Sequence, residues 1–228
     1  MSEAFKEHTR RLMLVALLAA GSGCKAGWWP LGGRVSDTVP GITPPRERIL
    51  ALKQIAKQAA AASSEGRERI AVQGAEGYPR EADPLVRLEI IRTLGSCTGP
   101  TAEATLAEAI KDKDADVRIA VCQAFGKHRN KAASQVLQER LGADSDLDVR
   151  LAAAKALGEV RDPDCAAALG AALEDRNPAM QYQAVCALRK VAPVDLGNDV
   201  ERWRQYAKDG SIAPPRPVSL AERLRLPF

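Results

Sequence analysis

Asp114-Ala115-Asp116-Val117-Arg118-Ile119-Ala120-Val121-Cys122-Gln123-Ala124-Phe125-Gly126 decides the fold, because the chain repeats it. Upstream stands Asp83-Pro84-Leu85-Val86-Arg87, closing on Leu94-Gly95. Downstream stands Asp146-Leu147-Asp148-Val149-Arg150, closing on Leu157-Gly158. A degraded copy opens on Asn177-Pro178-Ala179-Met180-Gln181, and the starts step by 31, 32 and 31 residues. A period of this length marks units that bury their apolar faces only against neighbouring units.

Within the copy, Val117, Val121, Ala124 and Phe125 fall at i, i+4, i+7 and i+8, one face of an α-helix. The leading Asp or Asn suits an N-cap, and Pro84 and Pro178 suit the first helical position. Gly95, Gly126 and Gly158 are expected to close the helices in left-handed conformation. A second helix follows, with columns Leu106/Leu137/Leu169 and Ile110/Leu141/Leu173 four residues apart on one face. Each unit is therefore a helical hairpin, and the fold class is all-α, a solenoid of stacked hairpins. Small residues such as Ala152, Ala153, Ala154 and Ala156 let neighbouring helices approach closely.

The flanks extend the stack to residues 46–208, about five hairpins. Residues 46–62 carry Ile49, Leu52, Ile55, Ala56 and Ala59 on one stripe, and residues 64–77 supply a partner helix weakened by Gly74 and Gly77. At the other end Asn198 is expected to cap a helix whose Trp203 and Tyr206 cover the last apolar face. Residues 209–228 read as a linker, Ala213-Pro214-Pro215-Arg216-Pro217, and a short helix after the capping box Ser219-Leu220-Ala221-Glu222.

The N-terminus carries an address. Lys6, Arg10 and Arg11 precede the nine-residue apolar run 12–20. Nine helical residues reach ~14 Å against a hydrocarbon core of ~30 Å, so residues 1–23 read as a signal peptide rather than a membrane span. Gly21-Ser22-Gly23-Cys24 resembles the bacterial lipoprotein processing box, which implies lipid on Cys24, export, and a membrane-anchored lipoprotein of the cell envelope on its periplasmic face. Gly21 departs from that box, where a larger aliphatic is usual, and cleavage with Cys24 incidental stays open. Residues 24–45 are rich in Gly and Pro and read as a flexible tether. Trp28 and Trp29 suit a membrane interface, or simple exposure in that tether.

The full chain of 228 residues has 33 Lys+Arg against 29 Asp+Glu, a net charge of +4. Loss of residues 1–23 would remove three bases and two acids, leaving 30 against 27. With basic residues interspersed among acids and aromatics at 4%, neither a cationic stripe nor a base-stacking platform is written, so no nucleic acid is expected. Beyond Cys24 stand Cys97, Cys122, Cys165 and Cys186. None forms a CxxC pair, so no metal is expected. Cys122 and Cys165 occupy small core columns. Cys186 shares a column with Arg92, Gln123 and Lys155, which leaves a half-exposed reactive thiol or a packed one.

The Asp-x-x-Val-Arg heads, the Ala-rich first helix and its Leu/Phe-Gly end resemble the HEAT repeats, in the short form also found in phycobilisome lyases, most clearly over residues 83–191. The resemblance implies an armadillo-type superhelix in which Arg87, Arg118 and Arg150 build a polar ladder between units. It also implies a concave face lined by second helices that grips a protein partner. The candidate contacts there are Glu103, Glu108, Gln135, Gln138 and Glu139. The fourth unit departs, with Gln181 for Arg and Arg189 for Gly, as a terminal cap does.

A non-catalytic interaction scaffold follows, with no cofactor and no catalytic residue. Two alternatives stand beside it: a bilin-lyase-like or other HEAT-fold enzyme, and a self-associating structural lipoprotein. Deoxyhypusine hydroxylases of this fold need repeated His-Glu motifs, whereas this chain has two His, His8 and His128. Only His128 or Cys186 offers a reactive group.

Overall fold

Each repeat head starts a helix in the computed structural model, which describes residues 43–129 and 131–210. Asp83, Asp114 and Asp146 each accept two backbone N–H groups of the first turn, and Asn177 accepts one. Those donors have no partner inside the helix, so the carboxylate sets where each helix begins.

The first helices of the units are α1 (Pro45–Ala61), α3 (Pro84–Leu94), α5 (Ala115–His128), α7 (Leu147–Val160) and α9 (Pro178–Val191). The second helices are α2 (Ser64–Gly77), α4 (Pro100–Ala109), α6 (Lys131–Ala143), α8 (Ala166–Ala172) and α10 (Val200–Asp209). Among the described residues all regular structure is helical. α1 begins one residue ahead of expectation because Pro45 takes its first position. The expected signal peptide, Cys24, the tether up to residue 42, and residues 211–228 lie outside the described residues.

The first helices stack in chain order, α1 on α3 on α5 on α7 on α9. Among the second helices α2 packs on α4, α6 on α8, and α8 on α10. The core runs between the two layers. Val117, Val121, Leu157 and Leu188 enter it from the first helices, and Leu106, Leu137 and Leu169 from the second, all fully buried or nearly so.

The repeat glycines do not have the expected role. Gly126 and Gly158 lie inside α5 and α7, and Gly95 caps α3 at a right-handed φ of −63°. The left-handed caps of the first helices are instead Arg129 (φ 50°) on α5 and Arg161 (φ 60°) on α7. What each glycine supplies is the absence of a side chain. A Cβ on Gly95 would stand 3.0 Å from Ala124 Cβ, one on Gly126 3.2 Å from Ala156 Cα, and one on Gly158 2.8 Å from Ala187 Cα. Each glycine is thus where the next first helix crosses.

The rule also explains its exception. Among the described residues no further first helix follows α9, so Arg189 fits where the earlier units need Gly. Its guanidinium donates to Asp195 at 3.1 Å and to Asn198 at 2.8 Å. Gly158→Val is expected to cost about 1–3 kcal/mol, because the clash is with backbone. Gly142→Ala, with nothing within 4 Å of the added Cβ, is expected to be neutral or slightly stabilising. Urea unfolding of the two variants checks the contrast.

The last described hairpin covers the core beyond α8 and α9. Asp199, not Asn198, caps α10, accepting from Glu201 N–H at 3.1 Å and Arg202 N–H at 3.3 Å, while Asn198 is held by Arg189. Trp203 is fully buried and its indole N–H donates to the Gly197 carbonyl at 2.8 Å. Tyr206 meets it edge to face, with centroids 6.0 Å apart. Across the interface, Gly170 of α8 lets Ala207 of α10 approach.

Candidate functional site

The heads of the repeat carry a second acid, two residues before each cap: Glu81, Asp112, Asp144 and Asp175. Each accepts the backbone N–H of the cap residue, at 2.9, 2.9, 3.0 and 2.8 Å for Asp83, Asp114, Asp146 and Asn177. The repeat arginines bind these acids from the preceding unit. Arg87 grips Asp112 through two bonds of 2.8 and 3.0 Å, and Arg118 grips Asp144 through bonds of 2.9 and 2.8 Å. Arg150 stands 3.9 Å from Asp175.

The same guanidinium ties down its own turn. Arg87 donates to the Ala82 carbonyl at 2.9 Å, Arg118 to that of Asp112 at 2.8 Å, and Arg150 to that of Asp144 at 3.0 Å. Arg48 extends the row backwards by pairing with Glu81. Gln181 ends it, keeping only the bond to its own turn, to the Asp175 carbonyl at 2.8 Å. The acids two residues before the caps were legible as a column at repeat spacing, stepping by 31, 32 and 31 residues, whereas Arg48 stands 39 residues before Arg87 and off that period.

Burial pushes the Asp112 and Asp144 carboxyls up, but the hydrogen bonds from Arg87 and Tyr78 to the first, and from Arg118 to the second, outweigh it. Both are held below the usual carboxylate range. A carboxyl lowered on folding stabilises above its unfolded value of ~3.9, and that contribution disappears as pH falls through the lower folded value. The melting temperature is therefore expected to drop steeply below pH ~4. The double variant Asp112→Asn/Asp144→Asn should start lower and show a shallower acid slope over the same range.

The second-helix candidates do not form one site. Glu108, Gln135 and Glu139 are exposed, whereas Glu103 and Gln138 are half-buried. The Gln138 amide faces Cys165 Sγ at 3.6 Å, and Glu139 pairs with Arg140 at 2.6 Å. Gln135 and Gln138 share a small groove with Ser134, Asp162 and Asp164 on α6 and the turn before α8, whereas Glu103 and Glu108 lie on α4.

Cys97, Cys122 and Cys165 are buried, and burial raises their thiols, that of Cys122 to about 12. Such thiols are poor nucleophiles. Cys186 is half-exposed beside Tyr182. His128 lies at the end of α5 with its ring nitrogens buried, and burial lowers its pKa. Among the described residues no cluster of His, Cys, Asp or Glu could hold a metal, and no helix is long and apolar enough to cross a membrane.

A larger groove lies on the first-helix layer. It runs between α5 and α7, has a volume of about 820 Å³, and is floored by Gly126, Ala152 and Ala156. Lys127, Arg129 and Lys155 stand on its rim. Sequence reading missed it because its basic residues come from two helices and are separated by acids along the chain.

A model of HEAT repeats matches residues 76–155 and 141–201, more than half of the chain. The chain belongs to the HEAT-repeat family. Among solved structures, this HEAT protein is similar to human deoxyhypusine hydroxylase in complex with glycerol, at 28% identity and a TM-score of 0.49. The match covers 53% of this chain and 43% of that one, so the chain spans less than half the length of that enzyme. No curated protein matches. Within the HEAT stack, then, the heads and the Arg–Asp row bind unit to unit. The outer columns of both helix layers are left over from packing.

Proposed function

We propose that this HEAT protein is a non-catalytic interaction scaffold at the cell envelope, exported by residues 1–23 and held to a membrane by lipid on Cys24. The observation that carries the scaffold reading is the division of labour among side chains. In the three full copies of the repeat, Asp, Arg and Gly are spent on joining units, which yields a continuous stack whose outer positions are not used in joining them. Stacks of this kind offer extended binding surfaces. The membrane reading is supported by the basic residues, the short apolar run and Gly21-Ser22-Gly23-Cys24.

The test is crosslinking in intact cells followed by pull-down of the full-length protein, with Cys24→Ala as the control. The reading expects one dominant foreign protein, recovered less when Cys24 is replaced, and label from fatty acid on the parent only. Recovery of the chain alone in both samples would overturn the scaffold in favour of self-association. Turnover of a tetrapyrrole, abolished by His128→Ala or Cys186→Ala, would overturn it in favour of an enzyme.

A further inference from the structure

The groove between α5 and α7 combines concavity with unspent positive charge. Lys127, Arg129 and Lys155 on its rim are all exposed. Among the described residues the structure gives none of the three a hydrogen bond or an ion pair. The acid on the same wall, Glu159, is already paired with Lys190. Glu159 also feels the charges of Arg129 and Arg161, so the three rim cations face a single acid that Lys190 already holds, and the rim is net cationic over a floor of the small residues Gly126, Ala152 and Ala156. A volume of about 820 Å³ falls within the range of formed ligand sites and accommodates several side chains.

Arg129 adds an independent observation. It caps α5 at φ 50°, in the left-handed region, and Arg161 caps α7 at φ 60°. That conformation is unfavourable for a residue with a Cβ and favours Gly or Asn. Twice, one unit apart, the chain keeps Arg there.

The groove favours a peptide over a lipid surface. A membrane-binding face presents large apolar side chains beside its cations. Among the described residues the exposed large apolar side chains, Leu50, Val72, Leu85 and Tyr182, all lie away from the groove lining.

We propose that the groove between α5 and α7 binds an acidic segment of a partner protein, its Asp and Glu carboxylates set against Lys127, Arg129 and Lys155. The proposal rests on the scaffold reading and names the chemistry of the partner. It places that partner on the first-helix layer rather than on the second helices. Complementary charge of this kind governs register and association rate, and it weakens with salt.

The experiment uses the full chain and three probes: a short labelled peptide of alternating glutamate and alanine, its glutamine counterpart, and vesicles of phosphatidylglycerol. The acidic peptide is expected to bind, the glutamine peptide to bind weakly, and added salt to release the first. Lys127→Glu/Lys155→Glu is expected to lower affinity for the acidic peptide by roughly tenfold or more at an unchanged melting temperature. Arg129→Gly should weaken binding while raising the melting temperature, because the left-handed cap is relaxed. A purely structural Arg129 would not give that pair of opposite changes.

Equal binding of the two peptides, no binding of either, or an affinity unmoved by the charge reversal would overturn the proposal. Binding of the vesicles alone, lost on reversal, would overturn it in favour of a lipid surface. If the full chain captures a foreign partner in cells and the reversed variant captures it equally well, this groove assignment fails while the scaffold reading stands.

Discussion

Asp144→Ala is expected to destabilise the chain by about 3–5 kcal/mol, the typical cost of removing one member of a buried ion pair. Asp144 and Arg118 keep only 3% and 12% of their side-chain surface. Removing the carboxylate strands the Arg118 guanidinium, takes away the partner of the Asp146 N–H, and leaves Arg140 without the acid 3.8 Å away. The loss therefore falls between the third and fourth hairpins, in the middle of the stack. Asp148→Ala, on an exposed position in the first turn of α7, is the control and should stay within about 0.5 kcal/mol. Urea unfolding measures both. Equal, small effects would mean that the row of Arg and Asp is decoration rather than a fastening.

Trp203→Ala is the second large effect, also about 3–5 kcal/mol, as for other buried large aromatics. Trp203 is fully buried at the end of the stack, and its N–H satisfies the Gly197 carbonyl. Its loss should act locally, because the stability of a repeat protein is a sum of units and their interfaces. Hydrogen exchange is expected to rise in α10, α8 and α9 and to stay unchanged in α3 and α5. Uniform loss of protection along the chain would show a single cooperative unit instead.

Much of the fold was legible because the repeat states its physics several times. The caps, the apolar columns and the hairpin period all follow from residues whose spacing is helical. Residues 64–77 form a helix despite Gly74, since Leu94 fills the space a side chain there would take. The repeat glycines were misread because a glycine near a helix end suggests a left-handed cap, whereas only the neighbouring unit reveals the close crossing. Asn198 lost the cap to Asp199 for a similar reason, since its side chain is taken by Arg189. The surface was least legible. Lys127, Arg129 and Lys155 meet only after two helices stack, and no pattern along the chain brings them together.

A photo-crosslinking residue placed singly at Lys127, Lys155, Glu108 and Gln135 of the full-length protein, irradiated in intact cells, tests whether the stack is a binding surface. The expected result is an adduct with one foreign protein from positions 127 and 155, and little from positions 108 and 135. Adducts only with a second copy of the chain, or none from any of these positions, would contradict a HEAT scaffold that works by gripping a partner.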